Sequence, residues 1–492
     1  MTKPSSAILL LLLIVLLSIS ACTVETIDRT ASSLNTRTNA FFFAYRDAGE
    51  GVWEVSVTKN SQARLDAQLI TVKDAQGRYE LVFVCHSRLE EEPHKIFYYR
   101  GTVRELNFVE HICKKPKSEV STQRVFGEIN GVESNQQRHA VVSLSSGDAV
   151  KGQESFALEV PHGKHDTLSY MGSFNAQNKV IPEQFYIQRG RDFSNRATAI
   201  GSPLKISYLP NDDSRGTTAL SFAIPSLQSS VKLSNIENIS AQESWSARAG
   251  FLSENGTYLT LNEAKQSAQA VTQFDFIPIP EYIYDANLNS VGLFFQKQDE
   301  GHEVELVVRD ARFANNPISR RSIKAFKRAE SISVDLYIPQ IPNNDFVISA
   351  GSMAALGTVN SGWRNTSDPV FGQTKLYRID FTADSAIPPS LIDPFGSTPS
   401  KVVWSAVITP KAIDKIGDYN TFDFPLDFNT MEDWNSDWNI ANNGEVIAEF
   451  HSFFSPSSTS TVLTYLSNRR FYDKLQLAEV IQRRSDTITP PL

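Results

Sequence analysis

Short apolar runs with a period of two residues recur along nearly the whole chain, and they constrain its fold more than any other feature. Within residues 331–338, for example, Ile332, Val334, Leu336 and Ile338 stand at every second position. This spacing places one side of a strand inward and the other toward solvent. Clusters of Pro, Gly, Asn and Asp separate the runs. Many short strands joined by such turns predict an all-β fold of several tandem β-sandwich domains.

Segments rich in β-branched and aromatic residues are predicted to be strands. They are residues 40–45, 53–57, 79–85, 96–99, 156–160, 204–209, 220–224, 256–261, 274–279, 291–295, 304–308, 332–338, 376–381, 402–408, 422–428, 445–453 and 461–466. Two other segments, residues 264–271 and 472–484, fit a helical period best.

The length of 492 residues predicts two to four domains, and changes in composition place their boundaries. The predicted parts are a signal peptide (1–21), a flexible polar tether (22–37), an N-terminal β domain (38–117), a β-sandwich (119–210), a β domain (211–322), a C-terminal β-sandwich (324–468) and a polar tail (469–492).

The N-terminus has the pattern of an export signal. Lys3 precedes an uninterrupted apolar run of 11 residues, 7–17, and small residues follow. A permanent membrane span needs about 20 apolar residues, so the run predicts a cleaved signal.

The residues at the end of this signal, Ile19-Ser20-Ala21-Cys22, resemble the bacterial lipobox. The resemblance implies that the Cys22 thiol carries a diacylglyceryl group, with further acylation such as palmitate, and that the lipid holds the protein at a membrane. Thr23 in place of an Asp favours the outer membrane. The alternative is an ordinary signal peptide in which Cys22 is incidental.

With Cys22 lipidated, two of the three cysteines remain, Cys85 and Cys113. An exported chain meets an oxidising compartment, so this even pair predicts one disulfide. Two buried free thiols are an alternative. Another is a Cys/His metal site, because His86, His94 and His111 share the predicted domain. Export and the even cysteine count favour the disulfide, and no metal is predicted.

The second predicted domain carries Val125-Phe126-Gly127-Glu128-Ile129-Asn130-Gly131, then residues 156–161, which end in Val-Pro, and a Gly turn at Gly163. This order resembles the carboxypeptidase-regulatory-like, or transthyretin-like, β-sandwich. Because Phe156, Leu158 and Val160 alternate along the chain, they are predicted to share one buried face. Any β-sandwich with a Gly turn is the alternative.

Two clusters of polar residues could bind a ligand. The first is His162, His165 and Asp166, which could hold zinc, although a predicted turn would spread these side chains apart. The second consists of Asp433, Trp434, Asp437 and Trp438. Its carboxylates could bind calcium, and its indole rings could form a platform for sugars. Alternatively, these tryptophans cap the core.

The formal net charge of −8, without long blocks of charge, argues against a nucleic-acid partner. No hydrolase elbow, phosphate loop or dinucleotide fingerprint occurs, so no catalytic residue and no cofactor are predicted. The sequence favours a non-enzymatic, membrane-anchored envelope lipoprotein that binds a polysaccharide or an envelope protein. A secreted hydrolase or glycan-processing enzyme, with its site in the third or fourth domain, is one alternative. A subunit of an envelope assembly is another.

Overall fold

Strands dominate the structure, as the period-two pattern predicts. The computed structural model describes residues 32–48, 52–57, 65–85, 95–113, 122–130, 138–145, 148–152, 155–174, 180–193, 204–207, 229–234, 236–267, 273–276, 282–287, 290–293, 300–310, 319–328, 333–339, 346–349, 358–364, 367–368, 370–383, 402–416, 419–425, 431–434, 444–468 and 475–488. Within these ranges the chain is all-β apart from one α-helix and two short 3₁₀ turns. No helix in them is long and apolar enough to cross a membrane.

The strands of the first part of the chain coincide with most of the predicted segments there. They are β1 (Ser32–Thr38), β2 (Phe42–Asp47), β3 (Glu54–Val57), β4 (Asp66–Val72), β5 (Arg78–Cys85), β6 (Lys95–Thr102), β7 (Phe108–His111), β8 (Thr122–Asn130), β9 (Arg138–Ser145), β10 (Asp148–Gly152), β11 (Ser155–Pro161), β12 (Lys164–Phe174), β13 (Val180–Asp192) and β14 (Leu204–Ser207). The predicted strand at residues 220–224 lies outside the described residues.

The second part of the chain adds eighteen described strands and the helix. They are β15 (Ser229–Ser234), β16 (Glu243–Leu252), β17 (Tyr258–Ser267), β18 (Gln273–Phe276), β19 (Tyr282–Asp285), β20 (Ser290–Leu293), β21 (Gly301–Asp310), β22 (Ser319–Lys327), β23 (Ser333–Tyr337), β24 (Val347–Ser349), β25 (Thr358–Arg364), β26 (Ser367–Asp368), β27 (Gly372–Ala383), β28 (Val402–Ile408), β29 (Asp414–Ile416), β30 (Tyr419–Pro425), β31 (Gly444–Phe454), α1 (Thr459–Asn468) and β32 (Gln476–Ile488). The 3₁₀ turns are Ile236–Asn238 and Pro410–Ala412.

A sheet of 13 strands is the centre of this arrangement. Its strand order is β17-β16-β21-β22-β32-β31-β27-β28-β6-β5-β2-β3, and β26 pairs with β27 beside that path. Neighbours along the path are antiparallel except β28 and β6, which run parallel. The parallel pair joins a strand of the first predicted domain to a strand of the fourth, so strand pairing connects regions that the sequence divides. The domain boundaries themselves stay a prediction.

Five smaller sheets pack around the large sheet or around one another. Their orders are β4-β1-β7, β11-β8-β14, β18-β15-β23, β24-β25-β30-β29 and β10-β9-β12-β13-β19-β20. The strands of the second predicted domain, β8 to β14, form one of these sheets and, together with β19 and β20, a second one. They enclose a core that includes Val125, Phe156 and Val160. The likeness of this domain to a particular sandwich family stays a prediction.

The two sides of the large sheet differ in polarity. On one side, alternate residues enter two apolar cores: Trp404 packs with Trp363 beneath the β24-β25-β30-β29 sheet, and Ile323 packs beneath the β18-β15-β23 sheet. On the other side, the β4-β1-β7 sheet covers the strands β2, β5 and β6, and α1 packs on β27 and β22. Between these covers, that second side carries charged residues.

The predicted tether is wrong over its last residues, because Ser32–Thr38 forms β1 in the middle of a sheet. Its polar composition hides an alternation in which Leu34, Thr36 and Thr38 are buried. β4 and β7 flank it, so the backbone hydrogen bonds of β1 are satisfied on both sides. Residues 22–31 of the predicted tether, including Cys22, and the predicted signal peptide lie outside the described residues.

The helix predictions are also wrong. Residues 258–267 form strand β17, and residues 476–488 form strand β32 where the sequence predicts a helix within a polar tail. Conversely, the predicted strand at residues 461–466 lies in helix α1. The Ser458 hydroxyl accepts a hydrogen bond from the Thr461 amide at 3.2 Å, which is a helix N-cap, and this cap outweighs the β-branched composition of the segment.

Candidate functional site

The charged side of the large sheet arises from simple alternation along β22. Arg321, Ile323 and Ala325 are buried against the neighbouring β18-β15-β23 layer. Ser322 and Lys324 therefore point to the opposite side. The flanking strands β21, β16 and β32 repeat the pattern, so several polar side chains meet there.

These polar residues line a cavity of about 460 Å³. Its lining residues come from six strands and from α1, and they are Ser246, Ala247, Arg248, Glu263, Glu305, Val307, Arg309, Arg320, Ser322, Lys324, Arg378, Tyr465, Leu466, Leu477 and Glu479. Five of these side chains are cationic and three are carboxylates, in a chain whose net charge is −8. The cavity is therefore locally cationic within an acidic protein.

One ion-pair network lies in the wall of the cavity around Glu305. Arg248 contacts the Glu305 carboxylate at 2.7 Å, and Lys324 lies 3.3 Å from it and 3.5 Å from Glu303. Burial opposes the charge of Lys324, but Glu303, Tyr465 and Glu305 outweigh it and raise the pKa of this amine. Burial likewise opposes the charge of Glu305, but Lys324 and Arg248 hold its pKa below the usual range. These cations are neutralised within the protein.

Arg309 and Arg320 lie beside this network and differ from it. They are directly opposite each other on β21 and β22. Among the described residues, neither guanidinium forms a hydrogen bond or a close ion pair, and the buried Nε of Arg320 has no hydrogen-bond partner. The charge of Arg320 does act on Glu479, whose pKa it helps to lower. Like charges at opposite positions of neighbouring strands repel each other. The two arginines therefore leave an excess of positive charge in the cavity wall.

A second network centres on His451, which is buried beside the cavity. Its Nδ1 lies 2.7 Å from Glu479 and its Nε2 lies 3.3 Å from Asp380. Burial and Arg378 oppose protonation, but hydrogen bonds to the two carboxylates prevail and raise the pKa of His451. Because both ring nitrogens then donate to carboxylates, the Arg378 guanidinium, 3.2 Å from each nitrogen, contacts the ring without donating to it.

The hydrogen bonds of Ser405 decide what this second network can do chemically. The Ser405 hydroxyl donates to Asp380 at 2.6 Å, and Asp380 also contacts His451 and, at 3.0 Å, Arg378. A nucleophilic serine needs the imidazole as its own hydrogen-bond acceptor. Here the carboxylate lies between the serine and the imidazole, so this Ser, Asp and His do not form a catalytic triad. The arrangement fits a structural role, in which it holds four strands together.

The raised pKa of His451 gives a prediction about stability against pH. The imidazolium should stabilise the fold fully below the unfolded pKa, near 6.5, and this contribution should be lost as pH rises through the higher folded pKa. Each tenfold gain in proton affinity corresponds to about 1.4 kcal/mol. Urea unfolding of the wild type from pH 6 to 9 should therefore show a decline that His451→Gln lacks. Equal pH profiles for the two proteins would refute the assignment.

Cys85 and Cys113 are joined, which confirms the predicted disulfide. The Cα atoms of Cys85 and Cys113 lie 5.4 Å apart, and the bond links β5 of the large sheet to the segment after β7. His111 lies close by, with Nε2 3.3 Å from the Cys85 sulfur and Nδ1 2.8 Å from the Tyr99 hydroxyl. Cys85, His111 and Cys113 could hold a metal ion by proximity alone. However, the sulfurs are bonded to each other, and a thiolate is the ligand that a metal needs.

Two of the three histidines of the first predicted domain, His86 and His94, lie outside the described residues. The third, His111, is a core residue whose ring stacks on Phe83 with centroids 4.9 Å apart and tilts against Phe97 at 4.2 Å.

The side chains of His162, His165 and Asp166 lie in different surroundings and have different hydrogen-bond partners. Asp166 is buried and accepts hydrogen bonds from the Gly190 amide and the Asn255 side chain, both at 2.7 Å. His165 instead lies 2.8 Å from the Pro161 carbonyl oxygen, and His162 is exposed. Asp166 is therefore a hydrogen-bond acceptor that links the sandwich to the turn between β16 and β17 of the large sheet.

Trp434 packs against the apolar core, in agreement with the alternative prediction that the tryptophans cap it. Its ring is half-buried and lies edge-on to Phe42, with centroids 5.5 Å apart, and tilted to Trp404 at 6.0 Å. Asp433 before it is exposed, with a φ of 61°. Asp437 and Trp438 lie outside the described residues, so the platform for sugars stays a prediction.

Sequence reasoning missed the cavity residues because they are scattered over six strands and α1. The available signal was the sequence of β22, SRRSIKAFK, in which cations occupy positions on both sides of one strand.

No family model matches it, and no curated protein matches it. Among solved structures, it is similar to the chicken CNTN1 FN1–FN3 domains, at 8% identity over 74% of this chain and 96% of that one, with a TM-score of 0.13. It is also similar to a tetra-tandem repeat in the extending region of a large adhesion protein, at 8% identity over 93% and 100% of the two chains, again with a TM-score of 0.13. Similarity at this score carries no inference about fold or ligand.

Proposed function

We propose that this chain is a lipid-anchored binding protein of the bacterial envelope, without enzymatic activity, and that its ligand site is the charged cavity. The cavity carries this proposal. Its wall consists mainly of strand residues, including Arg248 and Lys324, whose positions are fixed by ion pairs. A ligand would therefore meet a site that is already formed, which reduces the entropy lost on binding.

The location rests on the lipobox-like residues that end in Cys22. The disulfide between Cys85 and Cys113 fits an exported protein, because such bonds persist in oxidising compartments. The polar cavity also favours a small or saccharide ligand over a large apolar protein partner, since its charged lining resists burial against an apolar surface.

The anchor is tested by expressing the full chain and its Cys22→Ser variant in a bacterium supplied with labelled palmitate. The wild type should carry the label and sediment with outer membranes. The variant should lose the label and leave the membrane fraction almost completely, because no second anchor is proposed. As a matched control, Cys113→Ser should keep the label. Membrane sedimentation of an unlabelled wild type would refute the lipid anchor.

A further inference from the structure

We infer that the charged cavity binds a hydroxylated organic anion, and that Arg309 and Arg320 hold its carboxylate or phosphate group. This inference rests on the proposed binding function and names the ligand class of the same site. It begins from the two guanidinium groups that line the cavity at opposite positions on β21 and β22. A planar guanidinium presents paired N–H donors that match an oxyanion.

The contrast with the other cations of the cavity identifies this pair. Arg248 lies 2.7 Å from Glu305, Lys324 lies 3.3 Å from the same carboxylate, and Arg378 contacts Asp380 at 3.0 Å. Arg309 and Arg320 have no carboxylate at such a distance among the described residues, although Arg320 interacts electrostatically with Glu479. The Nε of Arg320 is buried without an acceptor. A buried donor without a partner costs about 1–3 kcal/mol, which a bound oxyanion would recover.

The remaining lining residues fit the hydroxyl groups of such a ligand. Glu263 presents carboxylate oxygens, which accept hydrogen bonds, and Ser246 adds a hydroxyl that can donate or accept. Leu466 and Leu477 supply an apolar surface for carbon atoms. A sugar acid or a sugar phosphate combines these features, and a volume of about 460 Å³ suits a small ligand.

The test is calorimetric titration of the full-length protein, purified in detergent, with three probes: glucuronate, glucose 6-phosphate and glucose. We expect one or both anions to bind and glucose to bind at least 100-fold more weakly. Binding of glucuronate alone would assign the carboxylate, and binding of glucose 6-phosphate alone would assign the phosphate. Raising the salt concentration should weaken binding, since partly exposed charges are screened.

The variants locate the site. The double variant Arg309→Gln/Arg320→Gln should lose at least 100-fold in affinity for the anion, and Arg320→Lys should lose about tenfold because it keeps the charge but not the paired donors. The matched control is Arg37→Gln, which also removes a positive charge. Arg37 lies on β1 in an exposed ion pair with Glu110 of β7, so this variant should bind as the wild type does. Thermal unfolding of each variant verifies that it is folded.

Two results would overturn the inference. One is the absence of anion binding by the folded wild type at millimolar concentrations, and the other is anion binding that the double variant retains. If glucose binds and Glu263→Gln weakens that binding, the assignment of an anionic ligand is wrong, but the cavity still has a binding function. The membrane location is tested separately by Cys22→Ser, so the failure of the ligand class and the failure of the proposed function are distinguishable.

Discussion

Replacing Arg321 with Met should lower the free energy of unfolding by about 3–5 kcal/mol, the usual cost of leaving one partner of a buried ion pair alone. Arg321 is only 1% exposed, and its guanidinium lies 2.7 Å from the buried carboxylate of Glu243. It also donates to the carbonyl oxygens of Asn238 at 3.0 Å and Pro339 at 2.8 Å. The substitution removes the cationic partner of a buried carboxylate, which keeps only the Ser240 amide as a hydrogen-bond donor, and the guanidinium that donates to two carbonyl groups.

Urea unfolding followed by circular dichroism measures this loss. The double variant Arg321→Met/Glu243→Gln should recover part of it, because the uncompensated charge is then removed as well. The matched control, Arg37→Met, breaks an ion pair whose arginine side chain is 48% exposed, and should cost less than about 1 kcal/mol. A loss below 1 kcal/mol for Arg321→Met would show that the buried pair is not needed.

Arg320 and Arg321 show how far the sequence predicts this structure. Alternation correctly implies that two adjacent residues of a strand face opposite sides. It does not reveal which arginine enters the core, because that depends on Glu243, which lies on β16, two strands away in the sheet. The sequence patterns predict no strand at residues 319–327, so they predict neither β22 nor the charged cavity and the buried ion pair on its two sides.

The same limit explains the errors in secondary structure. Residues 476–488 are polar, so they read as a tail, yet β22 and β31 flank them and provide backbone partners on both sides. Strand β28 likewise pairs with β6, which lies far away along the chain. Local patterns carry the period of a strand, whereas its neighbours in a sheet come from long-range packing. The all-β class was therefore predictable, and the 13-stranded sheet was not.

The disulfide is the site prediction that needed the least structure, because it rests on an even count of cysteines in an exported chain. Cys85 ends β5 in the large sheet, and Cys113 follows β7 in the β4-β1-β7 sheet, so the bond ties two packed layers together. The Asn39 side chain accepts a hydrogen bond from the Cys113 amide at 2.6 Å and holds this segment in place. In the folded protein, hydrogen bonds and sheet pairing also hold this segment. The main effect expected of the bond is therefore to constrain the unfolded chain.

Removing this bond with Cys85→Ala/Cys113→Ala should lower the free energy of unfolding by about 3 kcal/mol, from the closure of a loop with a sequence separation of 28 residues. Urea unfolding with and without dithiothreitol measures the effect. The reductant should destabilise the wild type by a similar amount and leave the double variant unchanged. A wild type that is equally stable in both conditions would show that the bond contributes nothing.

The same measurement indicates in which compartment of the cell the disulfide stabilises the chain. If the predicted loss occurs, the protein gains about 3 kcal/mol only after it reaches an oxidising compartment, which would raise its ratio of folded to unfolded molecules by roughly 100-fold. Before export the reduced chain would lack this contribution, and Cys85 would lie as a thiol beside His111, whose Nε2 is 3.3 Å from the sulfur in the folded protein. The disulfide therefore couples the stability of the fold to the address that Cys22 is proposed to provide.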